Sequence, residues 1–148
     1  MRISTRGVYA LEAMLVLASQ PEAERASIRQ ISDQTGLSDS YLEQIFALLR
    51  KSGLLSSTRG NRGGYALAKP ASEITVGDIV RSAEGSLHPV ACTDGTEPGC
   101  ERYGSCLSRA VWGRMAEEIS LFVDPLRLSD LVQDYLTSGI GPDMEVYI

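Results

Sequence analysis

The sequence predicts a mainly α fold: a helix-turn-helix with a two-stranded hairpin beside it, then a cysteine-bearing loop and a long helix. Three observations carry that expectation. Apolar residues recur at helical spacing on both sides of Gly36, with only Leu37 to Asp39 between the two runs. Two short strand-like stretches flank Arg59-Gly60-Asn61-Arg62-Gly63-Gly64, whose glycines permit a tight hairpin. Residues 85–105 lose all periodicity and collect Pro89, Pro98, Gly85, Gly95, Gly99 and Gly104 before helical spacing resumes at Leu107.

The first helix is expected from Thr5 to about Gln20. Val8, Leu11, Leu15 and Ala18 form an apolar stripe that Ala10, Met14 and Leu17 widen, so the helix is buried on more than one side. Ser27-Ile28-Arg29-Gln30 fits a capping box that opens the second helix, and Gly36 closes it. Ser40-Tyr41-Leu42-Glu43 fits a second box. It opens a third helix with Leu42, Ile45, Phe46 and Leu49 inward, ended by Gly53.

Strands are expected at Leu54–Thr58 and Tyr65–Ala68, which make the hairpin a wing on the helix-turn-helix. Arg59 and Arg62 at a glycine-rich tip have little to pack against and are suited to phosphates or a narrow minor groove. The polar edge of the third helix would face the major groove. There Gln44 can pair with adenine, and Glu43 can accept from cytosine or simply complete its capping box. Ser38, Ser40 and Tyr41 suit phosphates near the helix N-terminus.

Charge follows the same division. The chain of 148 residues has a net charge of −5, but residues 1–70 hold nine Lys and Arg against six acids, and residues 71–148 five against thirteen. A basic half and an acidic half imply that only the first approaches a polyanion such as double-stranded operator DNA.

Thr75-Val76-Gly77-Asp78 caps a fourth helix ending near Glu84-Gly85. A long helix follows at Leu107–Val123, in which Trp112, Met115, Ile119 and Phe122 are spaced 3-4-3, a seam suited to a symmetry mate. A short last helix is expected at Ser129–Leu136, and the tail beyond Gly139 is expected to be mobile. The organisation expected is a winged domain over 1–84, a cysteine loop over 85–106, and a dimerisation helix, final helix and tail over 107–148.

Cys92, Cys100 and Cys106 fall within fifteen positions, and an odd count in a reducing compartment argues against a disulfide framework. Their spacing matches neither a zinc ribbon nor a ferredoxin run. Three thiolates can hold metal with a fourth donor, or act as a redox switch without one. His88, Asp94, Glu97 and Glu101 are the nearby donors, each also explicable as a plain loop residue.

Taken together, the segments MRISTRGVYALEAMLVLA, SYLEQIFALLRKSGLLSSTRG, RGGYALAKP, ITVGDIV and the run ending CLSRAVW resemble the IscR/NsrR/CymR superfamily of winged-helix transcription regulators. The likeness is greatest to its IscR branch and extends over nearly all of residues 1–136. It implies a homodimer, buried through its long helices, and an iron–sulfur cluster, usually 2Fe–2S with 4Fe–4S as the alternative. It also implies that Ser38, Ser40, Tyr41, Glu43 and Gln44 belong to the recognition helix, and that Arg59 enters the minor groove. Cys92, Cys100 and Cys106 would be the cluster cysteines. Two departures stand out. The first cysteine gap is longer than in the best-known IscR proteins. The histidine expected three positions after the last cysteine is Arg109, whose guanidinium cannot ligate metal. An acidic ligand used near the N-terminus by NsrR-like proteins is replaced by Val8. The fourth ligand is therefore unassigned among an acid, His88, the other subunit or a small molecule.

The expected function is a transcription regulator sensing cluster or redox status. The alternative is a winged-helix regulator sensing through free thiols or a protein partner. No phosphate-binding glycine loop or catalytic triad is visible, so no enzyme is expected. With no apolar run near the ~18 residues of a membrane span and no signal-peptide pattern, the chain is expected to be cytoplasmic.

Overall fold

The computed structural model describes residues 2–22, 24–95 and 100–138. Glu97 and the tail beyond Gly139 lie outside them. Six helices and one hairpin follow in order: α1 (Thr5–Ala18), α2 (Ile28–Thr35), α3 (Asp39–Lys51), β1 (Leu55–Thr58), β2 (Gly64–Leu67), α4 (Val76–Glu84), α5 (Arg109–Val123) and α6 (Leu128–Thr137).

The core sits where α1, α2, α3 and α4 meet beneath the hairpin. Met14, Ile31, Leu42, Ile45, Phe46, Leu49, Ile74 and Ile79 are fully buried. Ala10 and Ala13 on α1 are also buried, and small residues there let neighbouring helices approach. Phe46 meets Tyr65 edge-on, with ring centroids 4.8 Å apart, which fastens the hairpin to α3. The strands pair antiparallel with Leu55 opposite Leu67 and Thr58 opposite Gly64. Ala26 bridges to Tyr65 on the far side of β2 through two backbone bonds of 2.9 and 2.8 Å.

Caps account for most boundaries. Ser27 and Gln30 form both halves of a capping box, and Thr75 and Asp78 form another. Gly36 closes α2 at φ +72°, a left-handed conformation that glycine adopts freely. The expected box at Ser40–Glu43 does not form. Ser38 is the N-cap instead, in extended backbone, with its hydroxyl accepting from the Tyr41 N–H, so α3 begins one residue before Ser40. Ser38 wins because the turn from Gly36 brings the chain into extended geometry there, leaving Ser40 already helical.

A cap from far along the chain holds α1. Glu84, at the end of α4, accepts from the Ser4 N–H (3.1 Å), the Ser4 hydroxyl (2.5 Å) and the Gly7 N–H (3.1 Å). The carboxylate satisfies free donors at the positive end of α1, and a side chain at position 7 would strike it.

The C-terminal helices return to this core. Residues 126–128 run antiparallel to 74–76, with Val76 N–H donating to Leu126 and Leu128 N–H to Ile74, each at 2.9 Å. Leu128 is fully buried in the main core. A smaller cluster of Val76, Val80 and Leu87 receives Ile119 and Val123 of α5. Arg81 binds both oxygens of Asp124 (2.5 and 3.0 Å) and the Ser120 hydroxyl (3.1 Å), tying α4 to α5. The absent side chain of Gly77 leaves room for this ion pair. Among the described residues no helix is long and apolar enough to cross a membrane.

Candidate functional site

Two surfaces carry chemistry beyond packing. The first joins α3 to the hairpin. The turn before α3 is braced by side chains. Ser32 donates to the Leu37 carbonyl (2.6 Å), Thr35 donates to the Ile31 carbonyl (2.8 Å), and Leu37 N–H donates to Thr35 (3.3 Å). With Leu42, Ile45, Phe46 and Leu49 buried, the opposite face of α3 is fixed outward. Ser38, Ser40, Glu43 and Gln44 are all exposed on it. Tyr41 is half-buried, its ring edge-on to Tyr9 at 5.9 Å, so its position is set by α1. The same outward face continues through Ala47 to Arg50, in line with Glu43, and to Lys51, in line with Gln44.

The hairpin tip presents Arg59 and Arg62, both exposed. Its turn closes by the Gly63 N–H donating to Gly60 (2.9 Å), and Gly60 and Gly64 take φ of +109° and +137°. A side chain on Gly63 would collide with the Thr58 carbonyl, and one on Gly64 with that of Ala26. The glycines therefore set the tip's shape and leave the arginines as its only long side chains.

Among the described residues the ion pairs are Arg81–Asp124 and Arg114–Glu118, and His88 lies near Asp94. Among the described residues Arg25, Arg29, Arg50, Lys51, Arg59 and Arg62 meet no carboxylate, and neither do Arg102, Arg109 and Arg127. Where Arg25 and Arg50 do bond, the partners are the neutral hydroxyls of Ser56 (3.5 Å) and Ser57 (3.0 Å).

The second surface is the cysteine loop with the outer face of α5. Cys92 lies in a single 3-10 turn, Ala91–Thr93, and Cys106 lies just before α5. All three thiols are free and half-exposed. Free thiols are the ligand chemistry iron–sulfur clusters need, so the donor set fits such a group. Among the described residues no three metal-ligating side chains are grouped as a metal site. The Ser108 hydroxyl, 3.5 Å away, draws the Cys106 thiol below its ordinary pKa, helped by the backbone at Ser108.

His88 is oriented by its neighbours. Thr93 donates to the Val90 carbonyl (2.8 Å), so its oxygen accepts from His88 Nδ1 (3.2 Å). The other ring nitrogen, Nε2, lies 3.8 Å from Asp94. Arg109 lies over the Tyr103 ring (4.3 Å) and donates to the Tyr103 carbonyl (3.1 Å). These two residues and Cys92 border an open cavity of about 470 Å³ beside α5.

The four residues of the expected seam do not share one environment. Met115 and Phe122 are exposed, whereas Trp112 is half-buried and Ile119 packs against its own chain. Leu107 (98% exposed), Val111 (59%) and Phe122 (70%) form the apolar outer face with Met115.

Comparison with known proteins bears on both surfaces. Residues 3–134 match the Rrf2 family model, described as an iron-dependent transcriptional regulator. The HTH-type transcriptional regulator IscR of Escherichia coli is 39% identical over 134 residues, covering 90% of this chain and 82% of that protein. Among solved structures, IscR of T. potens is similar with a TM-score of 0.75 and 33% identity, covering 95% of this chain and 93% of that one. CymR, the global cysteine regulator of B. subtilis, is similar with a TM-score of 0.72 and 34% identity, covering 90% of this chain and 97% of that one. The relatives are regulators rather than enzymes, and the winged-helix architecture is shared with them. The chain belongs to the Rrf2 family of transcriptional regulators.

Proposed function

We propose that this regulator binds double-stranded operator DNA as a homodimer, through α3 and the hairpin, and that its cysteine loop senses iron–sulfur cluster status. The observation carrying the DNA half is the run of exposed, unneutralised cations beside the polar edge of α3, on a chain whose net charge is negative. Ser40, Glu43 and Gln44 are offered to base edges, and Ser38, Tyr41, Arg59 and Arg62 to phosphates and the minor groove. The apolar outer face of α5 would be covered by the second copy. Two winged domains then meet two half-sites related by the same two-fold axis.

Cys92, Cys100 and Cys106 would hold the cluster. When bound, it supplies a redox- and iron-dependent ligation state that ties the loop to the start of α5. The chain's part is to offer three free thiols near α5, whose ion pair to Arg81 leads back to α4 and the winged domain. A second reading, a thiol sensor without metal, is favoured by the three free thiols and by the likeness to CymR.

Iron and acid-labile sulfide per chain, measured on protein purified without oxygen, decide between the two. A brown protein with stoichiometric iron and sulfide supports the cluster, and a colourless protein with three titratable thiols that still binds DNA supports the thiol sensor. A protein that binds no duplex in either form overturns both.

A further inference from the structure

We propose that Arg50, held in place by Ser57, grips the phosphate strand that separates the major groove from the minor groove. This rests on the reading of α3 and the hairpin as the DNA-facing surface. Arg50 continues the outward stripe of α3 that runs through Glu43 and Ala47. Ten residues of helix place it about 15 Å along the axis from Ser40. The major groove is only ~12 Å wide, so with the N-terminal end of α3 over the bases, Arg50 falls at the groove's wall.

The hairpin fixes which wall. Arg50 Nη1 donates to the Ser57 hydroxyl at 3.0 Å. Ser57 lies in β1, opposite Tyr65 and two residues before Arg59 at the tip. A tip reaching into the minor groove and a helix lying in the major groove straddle one phosphate strand, and Arg50 sits where their bases join. Its partner is a neutral hydroxyl, so the charge is uncompensated and most guanidinium donors stay open. Ser57 restricts the side chain before binding, which lowers the entropy lost on contact. An acid at position 57 would neutralise the arginine, and an alanine would release it.

The test uses the full-length dimer and two 30-bp duplexes, one of random sequence and one selected from a random pool by the wild-type protein. Affinity is measured by fluorescence anisotropy across a salt series. Arg50→Gln is expected to weaken both duplexes by about tenfold. It should also reduce the salt slope by about two, one phosphate per subunit. Arg50→Lys should keep the slope, and Ser57→Ala should keep it while weakening binding a few-fold. An unchanged slope in Arg50→Gln, or a loss confined to the selected duplex, overturns the assignment. Gln44→Ala and Arg59→Ala separate the two levels. If neither alters binding, the DNA-facing reading itself fails. If both do and Arg50→Gln does not, only the role of Arg50 fails.

Discussion

The winged half and the α5 half of this protein leave different things unsatisfied. In the winged half most large apolar residues are consumed, with Phe46, Met14 and Leu42 fully buried, and the edge that α3 and the hairpin leave outside is polar and carries unpaired cations. In the α5 half an apolar strip remains outside, from Leu107 through Val111 and Met115 to Phe122, beside exposed acids such as Glu117 and Glu118. An unneutralised cationic edge has no use for another protein core, and an apolar helix face has no use for a polyanion. On the proposed reading the two surfaces take two partners, a duplex and a second copy, and neither competes for the other's site.

The contrast is broken most severely by emptying the winged core. Phe46→Ala removes the ring that joins α3 to Tyr65 and is expected to cost about 3–5 kcal/mol in chemical denaturation. Phe122→Ala, at an exposed position, should cost far less at protein concentrations where the chain is monomeric.

Phe122→Glu sharpens the comparison from the other side. Burying that charge between two copies of α5 is expensive, so the variant should sediment as a folded monomer at concentrations where the wild type is dimeric. Its DNA affinity should fall with the loss of the second half-site. A variant still dimeric would show that the outer face of α5 is not the interface.

The link between the halves is weaker. Asp124→Asn breaks the pair with Arg81, and because both side chains are partly exposed, screening limits the expected loss to about 0.5–1 kcal/mol of unfolding free energy. The smallest effect expected is on reactivity. With its pKa lowered, Cys106 keeps its thiolate to lower pH than an ordinary thiol. Alkylation of metal-free protein should therefore reach half-maximal rate below the ~8.5 of a free cysteine. Ser108→Ala should move that midpoint upward, and mass mapping of the labelled residue reads it.

Much of the fold was legible because its signals are local. The capping boxes at Ser27 and Thr75, the turn at Gly36, and the apolar repeat Leu42, Ile45, Phe46 and Leu49 each depend on residues within one or two helical turns. The misplaced cap at Ser40 shows the limit of such signals. Ser40 fits the capping-box motif and Ser38 does not, its third following residue being Tyr41, yet the geometry imposed by the preceding turn selects Ser38. In the candidate site the polar edge of α3 and the two tip arginines were legible for the same reason. Arg50 was not, since its meaning comes from Ser57, on the strand packed beside it.

The sequence by itself determined the helical and hairpin elements, the separation of basic from acidic halves, and the gathering of three thiols in one loop, because propensity, capping and charge are written residue by residue. Only the tertiary structure decided that Glu84 caps α1 from the end of α4, that Leu128 returns to the first core, and that the apolar stripe of α5 divides between its own chain and the outside. Those outcomes depend on which distant segments are brought within a few ångströms of each other, and no local pattern records that.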